Sequence, residues 1–176
     1  EFDIDPYYIL QSIARMRKDG APSCKRANVL SLTAGEVKES WEPVVDGMKK
    51  ALNILREDCG MIVPKWFPYK TILIPFSALI ANNPARHTVT QGEIRGKLTR
   101  WYWCSVLGQR YEKASNSQAA KDFAEVGNWI AGGPTPKEIE SFSFEPSALL
   151  EVTPQQRALY QGIICLILSK NPRDFH

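Results

Sequence analysis

The residues best suited to chemistry in this sequence are cations interleaved with aromatic side chains. One stretch reads Lys97-Leu98-Thr99-Arg100-Trp101-Tyr102-Trp103 and a second Gln109-Arg110-Tyr111-Glu112-Lys113. Cations grip phosphates and aromatic rings stack on bases, so Arg95, Lys97, Arg100, Arg110, Lys113 and Lys121 are the candidate nucleic-acid contacts. The same residues have a purely structural use. Aromatics at helical spacing are core residues more often than base platforms, and Arg100 and Arg110 can each bond a buried carboxylate or a helix C-terminus. Lys121 and Asp122, after Asn116-Ser117-Gln118, carry the same ambiguity, because polar residues at a helix start are first of all caps.

Other chemistry finds little support. His87 lies in a turn and His176 is the final residue, so neither has a nucleophile to serve, and both read as solvated. There is no Gly-x-x-x-x-Gly-Lys or Gly-x-Gly-x-x-Gly cradle for phosphates, and Gly132-Gly133 follows a helix where such a loop would precede one. The acidic pairs Glu57-Asp58 and Glu138 with Glu140 fall at helix ends or on exposed faces, where solvated charge is the usual explanation. Cys24, Cys59, Cys104 and Cys165 stand far apart with no Cys-x-x-Cys pair, which argues for buried reduced thiols over a zinc site. No catalytic residue, cofactor or metal is therefore expected in this segment.

Charge permits a DNA partner without demanding one: 22 Lys and Arg against 19 Asp and Glu leave a net charge of +3. Reduced cysteines favour the cytoplasm, and the longest apolar run, Gly162 to Leu168, is too short to span a bilayer, so no membrane partner is expected. The chain lacks an initiator methionine and opens at Glu1 in what reads as continuing structure, which points to a fragment of a longer chain.

The elements that must position these residues read as helices throughout. Asp5-Pro6 is a start signal for a helix from about Pro6 to Arg17, stopped by Gly20-Ala21-Pro22. A polar connection over Ser23 to Ser31 follows. Thr33 and Glu36 form a capping box that opens the longest helix, with Val37, Trp41, Val44, Val45, Met48, Ala51, Leu52 and Leu55 on one apolar face, a bend at Pro43 and a left-handed cap at Gly60. Thr71 to Ala81 is apolar nearly all round and belongs at the centre of the core, with Pro75 kinking or shortening it.

A second capping box, Thr90 to Glu93, begins a helix whose Ile94, Leu98, Trp101, Tyr102, Val106 and Tyr111 share a face. Ser115 or Asn116 caps the next, which runs through Ala119, Phe123, Val126 and Ile130 to Gly132-Gly133-Pro134. Thr135-Pro136 starts a short helix, and Phe142 with Phe144 form a brief extended piece. Thr153-Pro154 opens the last helix, with Leu159, Tyr160, Ile163, Ile164 and Ile167 as core positions. The expectation is an all-α fold: an irregular bundle of six or seven helices in a single domain over 1–176.

Several motifs in order resemble a known family: Phe67-Pro68-Tyr69-Lys70-Thr71-Ile72-Leu73-Ile74-Pro75, Leu98-Thr99-Arg100-Trp101-Tyr102-Trp103, Gln109-Arg110-Tyr111 and Asn116-Ser117-Gln118-Ala119-Ala120-Lys121-Asp122. Asp5-Pro6-Tyr7-Tyr8-Ile9-Leu10 and Arg173-Asp174-Phe175-His176 extend the likeness over nearly the whole chain. Together they resemble the helical region of GmrSD-like modification-dependent restriction endonucleases. In that family the region lies between an N-terminal ParB-like nucleotide-hydrolysing domain with an Asp-Gly-Gln-Gln-Arg-type motif and a C-terminal HNH nuclease domain. The resemblance implies a module that links and couples flanking domains of the same chain in an anti-phage enzyme, without a catalytic site of its own. Two alternatives stand beside it: a DNA-backbone-binding domain of the same enzyme, with double-stranded DNA as partner, and an unrelated all-α interaction domain.

Overall fold

The structure, a computed structural model, describes residues 4–17, 24–84, 92–113, 115–170 and 172, and all regular structure among them is helical. In chain order the α-helices are α1 (Tyr7–Met16), α2 (Arg26–Leu30), α3 (Ala34–Cys59), α4 (Leu73–Ala81), α5 (Gly92–Leu107), α6 (Ser115–Ile130), α7 (Lys137–Glu140) and α8 (Arg157–Leu168). Short 3₁₀ turns at Pro64–Trp66, Lys70–Ile72 and Pro146–Glu151 join them. The all-α expectation holds. The added element is α2, one turn within the segment read as a polar connection; its Val29 is buried, and that single apolar anchor is too short a pattern to reveal helical periodicity.

The local signals act as their chemistry requires. The Asp5 carboxylate accepts the Tyr7 N–H at 2.9 Å and its carbonyl accepts the Tyr8 N–H, which starts α1. The Thr33 hydroxyl accepts the Glu36 N–H while the Glu36 carboxylate accepts the Thr33 N–H at 2.7 Å, so the capping box closes in both directions. Those backbone and hydroxyl bonds from Thr33 also hold the Glu36 carboxyl below its usual range. Gly60 ends α3 at φ 65, and it sits so close to α8 that a Cβ there would stand 2.0 Å from the Cys165 carbonyl oxygen.

Helix α4 is the axis of the fold because every one of its residues is buried. Pro75 is its third residue, within the first turn, where a missing N–H breaks no intrahelical bond, and α4 therefore begins just ahead of it. Helices α3, α1 and α6 all pack on α4. Against α3 the approach is closest at Gly47, where a Cβ would lie 2.6 Å from the Ser77 carbonyl oxygen. Against α1 the contact is polar: the Ser12 and Ser77 hydroxyls bond at 2.8 Å, and both reach the Ile74 carbonyl. The main apolar cluster gathers residues of α3, α4, α5, α6, α7 and α8, and a smaller one joins Ile13, Val44 and Ala81.

Several expected faces differ. Trp41 is exposed, because the buried stripe of α3 runs from Val44 through Met48, Ala51 and Leu55, while in the first turns it is Val37 that packs, half-buried, against the smaller cluster. Tyr111 is buried but not helical: α5 ends at Leu107, and a turn with Gln109 at φ 52 brings Tyr111 inward. The last helix starts at Arg157, three residues beyond Pro154, and buries Ala158, Leu159, Gly162 and Cys165. Its Tyr160, Ile163 and Ile164 are only half-buried and Ile167 is exposed, since the small side chains on the other face admit a closer approach to α5. Ser115 and Asn116 are the first helical residues of α6 and do not precede it. The Thr90 half of the second capping box, the Gly20-Ala21-Pro22 stop, His87, His176 and Arg173-Asp174-Phe175 lie outside the described residues.

Candidate functional site

Three of the motifs meet at one carboxylate. Asp122 is 1% exposed and occupies a buried position of α6 in register with Ala119, Val126 and Trp129. Its Oδ2 accepts the indole Nε1–H of Trp101 at 2.9 Å and the hydroxyl of Tyr111 at 2.9 Å. Its Oδ1 accepts from the Arg110 guanidinium at 2.5 Å and from Gln118 Nε2 at 2.9 Å. Helix α5 delivers Trp101, the turn after it delivers Arg110 and Tyr111, and α6 delivers Gln118 one turn before Asp122. A buried charge is tolerable only when paired and fully bonded, and here donors occupy both oxygens. Burial, and then the Asp122 carboxylate, push the Tyr111 hydroxyl well above the ordinary tyrosine range, so it remains a donor.

The surroundings hold the hub rigidly. Trp101 meets Phe76 of α4 edge-on with ring centroids 5.3 Å apart, and Tyr111 lies 5.9 Å from Tyr69. Arg15, fully buried on α1, directs Nη2 at Cys24 Sγ at 2.8 Å and at the Asn116 carbonyl, and the Cys24 thiol donates to Asn116 Oδ1. The start of α6 is thereby tied to α1 and to the residues before α2.

Most of the cations singled out by sequence are engaged within the chain. Arg95 donates to Asp58 at 2.6 and 2.7 Å and to Glu57 at 2.9 Å, linking α5 to the end of α3. Its bonds hold the Asp58 carboxyl below the usual aspartate value, and Asp58 also accepts from Thr99. The Glu57-Asp58 pair, expected to be solvated, is thus an anchor for Arg95. Lys97 pairs with Glu93 at 2.7 Å, donates to the Trp129 carbonyl at 2.9 Å and stands over the Trp129 ring. Arg100 reaches the Ile139 carbonyl at the end of α7, and Lys121 pairs with Glu138 on the same short helix. Lys113 is exposed.

The two structural uses foreseen for Arg100 and Arg110, a helix C-terminus and a buried carboxylate, are both realised. Sequence reading missed Asp122 as the centre and Arg15 as a buried cation. A signal for Asp122 existed: an acid at an apolar position of the α6 stripe. Trp101 is core, while Trp103 is half-buried and edge-on to Tyr102 at 5.3 Å.

Cys24, Cys59, Cys104 and Cys165 are all free and buried. Burial raises the Cys59 and Cys104 thiols and pushes Cys165 up to about 11. Among the described residues no group of three or more His, Cys, Asp or Glu side chains could hold a metal ion, and no helix is long and apolar enough to cross a membrane.

No protein-family model and no solved structure matches the chain. A relative is found in Methanocaldococcus jannaschii, the uncharacterized protein MJ0686, 26% identical over 181 residues that cover 97% of this chain and 30% of that protein. The chain thus spans about a third of the length of the curated relative it matches.

Proposed function

We propose that this chain is an architectural helical module, built to hold and orient other parts of a longer protein, and that its own residues catalyse no reaction. The observation that carries the reading is the convergence of Trp101, Arg110, Tyr111 and Gln118 on the buried Asp122. Side chains that resemble a phosphate-gripping, base-stacking set are spent on locking α5 to α6. Arg95, Lys97 and Lys121 are bonded to acids or carbonyls of neighbouring helices in the same way. Rigid helices joined by such locks can transmit displacement between attached domains.

The longer protein that the motif resemblance suggests is a nucleotide-dependent DNA restriction endonuclease of the GmrSD-like type. That half of the reading rests on the motifs alone. An Asp-Gly-Gln-Gln-Arg-type motif upstream and a His-rich nuclease motif downstream in the same reading frame are its expected companions; unrelated neighbours would remove it.

DNA binding by the chain itself is tested by salt dependence. Each phosphate contact contributes about 0.9 to the slope of log affinity against log salt. For an architectural module, Lys97→Glu and Lys113→Glu leave any residual slope unchanged. A slope reduced by about two in the double variant would replace this reading with direct contact to the DNA backbone.

A further inference from the structure

Helix α8 is apolar on every side, yet only one side of it is packed. Arg157 and Gln161 are its only charged or amide side chains. Ala158, Leu159, Gly162 and Cys165 face the core, and opposite them Tyr160, Ile163, Ile164 and Ile167 recur at i, i+3, i+4 and i+7. A surface helix turns polar residues to that side, whereas a helix that is apolar all round belongs in the interior of a larger assembly. Ile167, at the end of the stripe, is 50% exposed.

The loop after α3 runs along α8 and extends this face. A Cβ on Gly60 would stand 2.5 Å from the Ser169 nitrogen, the Lys65 carbonyl accepts from Gln161 Nε2 at 2.8 Å, and the Trp66 carbonyl accepts from the Cys165 thiol at 3.2 Å. The Trp66 ring lies 6.3 Å from that of Tyr160. Between these anchors Ile62 and Val63 are 54% and 42% exposed. Two segments far apart in sequence thus present one apolar surface, unlike the single exposed apolar residues that any protein carries.

Charge decides what covers it. No acidic residue occurs from Cys59 to Gly92 or from Val152 to Lys170. Lys65, over the Trp66 ring, and Lys170, just past α8, are exposed at the rim and have no ion pair among the described residues. Glu112 reaches the start of α8, where Lys70 and Arg157 share its cleft and outnumber it. A second copy docked by two-fold symmetry would set the same cationic rim against itself. Acids beside an apolar stripe complement both features, and a helix of that kind packs along the ridge of Tyr160, Ile163, Ile164 and Ile167. We infer that the outward face of α8, with Ile62 and Val63, docks an apolar helix flanked by acidic residues, supplied by a part of the longer polypeptide outside these 176 residues. The inference rests on the architectural reading and names the surface by which the module holds a neighbour. The matched region is 30% of the Methanocaldococcus jannaschii relative, so most of that protein lies outside it.

The test replaces Ile167 by the photo-reactive p-benzoylphenylalanine in the longer polypeptide, irradiates it, and maps the cross-linked peptides by mass spectrometry. The expected result is cross-linking to one segment outside this chain that carries acids next to its apolar positions. Adding Lys65→Glu and Lys170→Glu should lower the yield about fivefold, as for two rim charge pairs. Cross-links to a second copy, seen on mixing 14N and 15N protein, would overturn the inference, as would a partner segment without acids or a yield that ignores the charge reversal. Vesicles of phosphatidylcholine with phosphatidylserine should not sediment this chain; binding that Ile167→Glu abolishes would assign the face to an anionic membrane instead. A reading frame that holds nothing beyond this chain removes the architectural reading and this inference together. A longer protein whose position 167 cross-links to nothing overturns this inference alone. Should the charge-reversed variant fail to fold, the cross-link map with both lysines in place decides the matter.

Discussion

Replacing Asp122 by alanine removes the acceptor for four donors at once. Breaking a buried pair by deleting one partner costs ~3–5 kcal/mol, chiefly because the other charge is stranded. Arg110, whose side chain is 16% exposed, can turn toward water and recover part of that. The Trp101 indole and the Tyr111 hydroxyl are deep in the core with no such route, and each unsatisfied donor costs about 1–3 kcal/mol. A net loss of about 4 kcal/mol follows, a large share of the 5–15 kcal/mol that is typical of a folded domain. In a chain of 176 residues it corresponds to a Tm lower by roughly 8–16 °C.

Asp122→Asn keeps one acceptor oxygen but turns an amide N–H₂ toward donors, so about half that loss is expected. Urea unfolding at pH 7 measures both variants, with unchanged m as the condition for comparing midpoints. A double-mutant cycle with Arg110→Met should return a coupling of about 1–3 kcal/mol. A loss below about 1 kcal/mol for Asp122→Ala, or additivity in the cycle, would show that the hub does not hold α5 to α6 and would remove the basis of the architectural reading.

Gly60→Ala combines a left-handed backbone with a Cβ 2.0 Å from a backbone oxygen, so a loss of at least about 3 kcal/mol is expected in the same unfolding assay, and near-wild-type stability would refute the α3–α8 contact. The Arg95–Asp58 pair should depend on pH: a carboxylate with a lowered folded pKa stabilises fully above its unfolded value near 3.8 and loses that contribution as pH falls through the lower folded value. The stability gap between the parent and Arg95→Gln, about 0.5–1 kcal/mol because the pair is partly exposed, should persist at pH 7 and 5 and shrink below about pH 4; a gap constant to pH 3 would contradict the pairing. Thiol titration with a disulfide reagent at pH 8 should find four groups in guanidinium and almost none in the native protein, since all four are buried and Cys165 ionises only near 11; rapid native labelling would refute their burial.

The sequence alone determined what depends on neighbours along the chain. The Thr33–Glu36 box, the Asp5-Pro6 start, the left-handed Gly60 and the all-round apolar α4 are set by capping, backbone sterics and local periodicity, which act over one or two turns. It also named the two structural uses open to Arg100 and Arg110, because the chemistry of a guanidinium restricts its partners. Which use each arginine takes is a matter of packing. Tyr160, Ile163, Ile164 and Ile167 have as good an apolar period as Ala158, Gly162 and Cys165, and only the fit of small residues against α5 decides which face turns inward. The convergence on Asp122 was likewise out of reach: Gln118 is a neighbour one turn away on α6, but Trp101, Arg110 and Tyr111 are 21, 12 and 11 residues away and arrive from α5 and the turn after it. That meeting exists only once α5, the turn after it and α6 are packed on α4, because long-range contacts follow from tertiary geometry and not from local propensity.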